Sequence, residues 1–84
     1  MSEYQKKQID YTVVCVNEFA RKNDIHPRIA FLYLYTNKGI EFLEENYDIE
    51  HTLSLEDAID DLEIICEKNG GKLYWNYTMA LMLK

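Results

Sequence analysis

The stretch Pro27-Arg28-Ile29-Ala30-Phe31-Leu32-Tyr33-Leu34-Tyr35, closed by Asn37-Lys38-Gly39, constrains this chain more than any other feature. Ile29 to Tyr35 is unbroken apolar sequence, so the segment has no polar face to offer water. Proline suits the first turn of a helix, where its missing N–H would have had no partner. Asp24 or His26 can cap that start. Gly39 can take the left-handed backbone that stops the helix. A buried strand is the alternative for a short aromatic run, but the flanking Pro and Asn-Lys-Gly favour helix. The spacing predicts a helix over about Pro27 to Asn37. Being apolar all round, it is expected to be the central and most buried one.

The rest of the chain supplies elements to surround it. Ser2-x-x-Gln5 reads as a capping box opening a helix over about Glu3 to Lys22. Ile9, Val13, Val16 and Ala20 recur along that helix at three- and four-residue steps, flanked by Thr12 and Phe19. They form its apolar stripe, and Asn23-Asp24 ends it. A third helix, about Ile40 to Tyr47, buries Ile40, Leu43 and Tyr47 and exposes Glu41, Glu44 and Glu45. After a loop of about six residues, Ser54-x-x-Asp57 caps a fourth helix. Its core face is Leu55, Ala58, Ile59, Leu62, Ile65 and Cys66. Glu56, Asp57, Asp60, Asp61, Glu63 and Glu67 point outward, with Ile64 an apolar residue on the polar side. Gly70-Gly71 ends it. The segment 72–84, KLYWNYTMALMLK, is too apolar to hang in water and packs on the helices or on a second copy of the chain. Its Met-Ala-Leu-Met-Leu part favours helix and its Tyr-Trp-Asn-Tyr-Thr part strand, with helix the preferred reading. A chain of 84 residues buries only about 60–65% of its unfolded surface, which leaves no room for a second core. The expected fold is all-α: one domain over 1–84, a compact bundle of four helices over 1–71, and an apolar packing or dimerisation segment over 72–84.

Charge narrows the partners. Residues 1–39 hold six Lys/Arg against four Asp/Glu, whereas residues 40–69 hold eleven acids against Lys68 alone. That concentrated negative field repels phosphate, so neither nucleic acid nor an anionic membrane is an expected partner. A helix-turn-helix reading of the second and third helices fails for the same reason, because Glu41, Glu44 and Glu45 would face the backbone. The start, MSEYQKKQIDY, lacks the apolar core of a signal peptide. No run approaches the ~20 residues that span a bilayer, so a cytoplasmic location is expected. Cys15 and Cys66 have no paired-cysteine spacing and read as small buried apolar residues. No metal-ligand motif, phosphate-binding glycine loop or nucleophile pattern is present, and no cofactor or catalytic residue is assigned.

Two residue sets stand out as candidate functional surfaces. Tyr47, Asp48, His51 and Thr52 could place a base beside a carboxylate, since Asp48 and His51 share a face if the helix continues. The structural reading of the same residues is a joint: Tyr47 in the core, Asp48 tying loop amides, His51 or Thr52 capping the turn. The acidic face, Glu56, Asp60, Asp61, Glu63, Ile64 and Glu67, reads as a docking surface for a basic protein or as a solvated face.

The segments IDYTVVCVNEFARKNDI and GIEFLEENYDIEHTLSLEDAIDDLEIICEKNGG resemble a family of small bacterial proteins catalogued as domain of unknown function 3791. The likeness runs through Val14, Val16, Phe19, Ala20 and Gly39. It is most specific at the Y-D-x-x-H-T element formed by Tyr47, Asp48, His51 and Thr52, and it covers about residues 9 to 70. It implies a bacterial source and a small α-helical domain without a demonstrated activity. It also implies a neighbouring or fused domain that looks like an ADP-ribosyltransferase, which suits an accessory or neutralising role. The expected function is a protein–protein interaction or regulatory module. The alternatives are a small-molecule or catalytic site around Tyr47, Asp48 and His51, and an acidic mimic of nucleic acid. A homodimer through 72–84 is a further expectation.

Overall fold

The computed structural model describes residues 1–71. The expectations for 72–84, helix over strand and a dimer contact, lie outside the described residues. Among the described residues five helices follow in order: α1 (Glu3–Lys22), α2 (Pro27–Thr36), α3 (Gly39–Glu45), α4 (Tyr47–Glu50) and α5 (Leu55–Lys68). The fold is all-α, with no strand among the described residues. The count is five rather than four because the third helix breaks at Asn46 and a single turn, α4, follows it.

Local chemistry accounts for the helix ends. Ser2 and Gln5 form the capping box, with the Ser2 hydroxyl accepting from the Gln5 N–H and the Gln5 side chain from the Ser2 N–H, both at 3.1 Å. His26 caps α2 by accepting the Arg28 N–H at Nδ1, 3.0 Å. Ser54 accepts the Asp57 N–H at 3.1 Å to open α5. The C-terminal ends share one device. Asn23, Asn37, Asn46 and Asn69 each follow a helix and donate Nδ2 to the carbonyl four residues back, at 2.8–3.0 Å. The backbone N–H of each asparagine reaches the same carbonyl at 2.9–3.2 Å, so side chain and backbone together engage one carbonyl of the last turn. Asp24, Lys38 and Gly70 then take positive φ and turn the chain out of its helix. At the end of α5 the Gly71 N–H returns to the Cys66 carbonyl at 2.9 Å and the Gly70 N–H to Glu67 at 3.1 Å. This is the double hydrogen bond of a Schellman end.

The core forms where α1 meets α2, α3 and α5. Phe19, Leu34, Leu43, Ile59, Leu62, Cys15 and Cys66 are its fully buried side chains. Each of the large aliphatic or aromatic ones contributes about 1.5–3 kcal/mol relative to exposure. Phe19 stacks on Tyr33, with ring centroids 5.6 Å apart. Burial pushes the thiols of Cys15 and Cys66 up to about 11, so both are protonated small apolar fillers at neutral pH.

Three expectations are corrected. Among the described residues, the α2 helix is not wrapped on all sides. Ala30, Tyr33 and Leu34 are buried, while Phe31, Leu32 and Tyr35 are 43%, 51% and 67% exposed. A helix has neighbours only where other elements reach it, and α1 and α3 cover one side of α2. The α1 stripe is rotated: Cys15, Val16, Phe19 and Ala20 are buried, and Ile9 and Val13 stand half-exposed. Gly39 does not supply the left-handed turn, because Lys38 does, with φ 68°. Gly39 instead opens α3 against α2 and α5. A Cβ there would meet Leu34 Cδ2 at 3.0 Å and Cys66 Sγ at 3.1 Å, closer than side chains pack.

Candidate functional site at the joint of α1, α4 and α5

The Y-D-x-x-H-T element forms α4 and its exit. One turn of helix cannot hold itself together in water, so its side chains fasten it to α1. Tyr47 is buried and its ring meets Tyr4 and Tyr11 of α1 edge-on, each at a centroid separation of 5.6 Å. The Tyr4 hydroxyl donates to Asp48 Oδ1 at 2.7 Å, and the Tyr11 hydroxyl donates to the Glu50 carbonyl at 3.0 Å. The bond to Asp48 raises the Tyr4 pKa, since losing the proton would set two anions side by side.

His51 closes the turn. Its Nδ1 lies 2.7 Å from the Tyr47 carbonyl, four residues back, and its ring stacks on Tyr47 at 4.4 Å with the planes 11° apart. A carbonyl cannot donate, so Nδ1 carries the proton in this contact. His51 thus does at the end of α4 what the four asparagines do at the ends of the other helices. The Thr52 hydroxyl donates to the Ile49 carbonyl at 2.6 Å. The structure brings Tyr47 and His51 into contact and turns Asp48 toward Tyr4 instead of toward His51.

Glu50 was not singled out from the sequence. It is only 4% exposed, and its Oε1 is buried without a hydrogen-bond partner among the described residues. Asp61 on α5 lies beside it, so a charge on Glu50 would face a second carboxyl. Burial first and Asp61 second push the Glu50 carboxyl up to about 7. Tyr11 and Cys15 of α1 are the other titratable groups facing it, and burial raises the Tyr11 hydroxyl strongly. A signal was present: Tyr47 and Glu50 are three residues apart, so a buried Tyr47 carries Glu50 inward on the same side of a helix. The expectation of a loop after Tyr47 concealed it.

The acidic face of α5 is divided between two duties. Lys22 of α1 reaches Asp60 at 3.1 Å and Glu63 at 3.0 Å, and these bonds, Glu63 first, raise its pKa. Such exposed pairs contribute about 0–1 kcal/mol each. Asp61 is half-buried beside Glu50, which corrects its expected outward position. Glu56 and Glu67 are exposed, and Ile64 is 50% exposed between them. Among the described residues, no three His, Cys, Asp or Glu side chains are grouped so as to hold a metal ion, and no helix is long and apolar enough to cross a membrane.

Fold and joint together define a small all-helical domain whose aromatic staple binds a one-turn helix to its longest one. Residues 10–69 match the model of a family described as "Protein of unknown function (DUF3791)", and the chain belongs to that family. No curated protein and no solved structure matches it significantly.

Proposed function

We propose that this domain is a protein–protein interaction module, an accessory or regulatory partner of another bacterial protein in the cytoplasm. The observation that supports this best is Ile64, half-exposed midway along the outward side of α5 with Glu56, Asp60 and Glu67 exposed around it. An apolar anchor ringed by charge of one sign suits a partner with a basic rim and an apolar pocket. Asp60 and Glu63 keep exposed side-chain surface beside Lys22, so a partner's arginine can compete for them. The family resemblance makes an ADP-ribosyltransferase-like neighbour the first partner to test. A site for chemistry at Tyr47, Asp48 and His51 has less support, because Tyr4 engages Asp48 and the Tyr47 carbonyl engages His51.

The test is direct binding of the full chain to the purified neighbouring protein at low and high salt, with Glu56→Lys, Ile64→Asp and Glu67→Lys variants. Affinity is expected to fall about tenfold or more for Ile64→Asp and to weaken with salt in the parent chain. Unchanged affinity in all three variants would count against this surface. Retention of a nuclease or repressor by the acidic face would instead favour the nucleic-acid mimic.

A further inference from the structure

An apolar groove runs between α1 and α2 and is floored by the start of α3. Ile9 and Val13 form one wall, Phe31 and Tyr35 the other, and Ile40 the floor, with Gln8 and Glu44 on the rim. It encloses about 350 Å³. Its walls are well exposed: Ile9 49%, Val13 52%, Phe31 43% and Tyr35 67%. Phe31 and Tyr35 stack on each other at 6.0 Å and present a preformed aromatic ledge. Contiguous apolar surface of this kind on a small acidic domain calls for a cover.

We propose that residues 72–84 of the same chain cover this groove. The described chain ends at Gly71, which is buried against the Asn37 side chain; a Cβ at Gly71 would lie 2.6 Å from Asn37 Cγ. Asn37 is the C-cap of α2, two residues beyond Tyr35 and three before Ile40. The segment therefore departs from the end of α2 that borders the groove. Thirteen residues follow. They reach about 20 Å as a helix and about 43 Å extended. Each groove wall is one helical turn, about 6 Å, so either conformation spans it.

Chemistry and charge agree with this occupant. Nine of the thirteen residues are apolar, Trp75, Tyr77 and Leu81 among them. The segment carries two lysines and no acid, whereas residues 1–71 carry all fifteen acids and the other seven bases. Glu44 on the groove rim can receive a lysine. Tethering decides between this chain and a second copy. A short linker holds its segment at an effective concentration of about millimolar, above that of a second molecule in dilute solution.

Trp75 is the single tryptophan and reports the contact in the full chain. Its emission is expected to be blue-shifted and shielded from acrylamide, independent of protein concentration. Val13→Asp and Tyr35→Ser alter exposed side chains and should keep the helical circular dichroism while losing most of that shift. Leu32→Asp, equally exposed but outside the groove, should keep it. A water-exposed Trp75 in the parent chain overturns the proposal. So does a shift that both groove variants leave unchanged, which would put the segment elsewhere. A shift that fades on dilution would assign the groove to a second copy and overturn it as well.

Discussion

Replacing Glu50 by glutamine should make this protein more stable at alkaline pH, although it deletes a charge and adds no contact. Glu50 sits at the end of α4 with α1 and α5 closed over it, and burial and Asp61 hold its carboxyl up at about 7 against an ordinary 4.5. A raised carboxyl binds its proton more tightly in the folded chain than in the unfolded one. Stability from this residue is therefore fully present below about pH 4.5 and is lost as pH rises through about 7. At about 1.4 kcal/mol for each pKa step, the full loss is at most about 3 kcal/mol. About 2 kcal/mol of it falls between pH 5.5 and pH 8. Glutamine has nearly the same shape and stays neutral at every pH of the experiment. Urea unfolding of the full chain, followed by far-ultraviolet circular dichroism, measures the difference. The variant should exceed the parent by about 2–3 kcal/mol at pH 8, with the gap narrowing toward pH 5.5. If parent and variant stabilities change in parallel with pH, Glu50 does not hold the raised proton and the reasoning is refuted.

Other outcomes follow from the packing. Gly39→Ala should lower stability by about 1–3 kcal/mol, because the new methyl meets Leu34 Cδ2 and Cys66 Sγ at 3.0 and 3.1 Å; thermal unfolding checks it, and an unchanged midpoint would show that α3 can shift freely. His51→Ala should cost about 1–2 kcal/mol by removing the bond to the Tyr47 carbonyl and the stack on its ring. His51→Asn should recover part of this, since asparagine makes the same bond at the ends of α1, α2, α3 and α5; equal losses for Ala and Asn would reject the capping role.

The residues that end and begin helices were legible because their hydrogen bonds are local. Ser2 with Gln5, Ser54 with Asp57, and Pro27 act within three residues of where they stand. Periodicity likewise marked Ala58, Ile59, Leu62 and Cys66 as the buried side of α5. The candidate joint was legible in part. Tyr47, Asp48 and His51 were visible as residue types suited to a cap or a site, but Tyr4 and Tyr11, the α1 partners of Tyr47 and Asp48, lie more than thirty residues away.

The sequence by itself determined the all-helical fold, the caps at its helix ends and the sign of its charge, since each rests on neighbours along the chain. Only the tertiary structure decided which sides of those helices have company. Among the described residues, α1 and α3 cover just one side of the apolar α2, which leaves Phe31 and Tyr35 without a neighbour on the other. Glu50 lies inside because α4 is fastened to α1 by three tyrosine rings and two hydroxyls, with Asp61 of α5 beside its carboxyl. Burial is set by what packs from a distance, and that distance is measured across the fold, where a periodic pattern in the sequence has no way to register it.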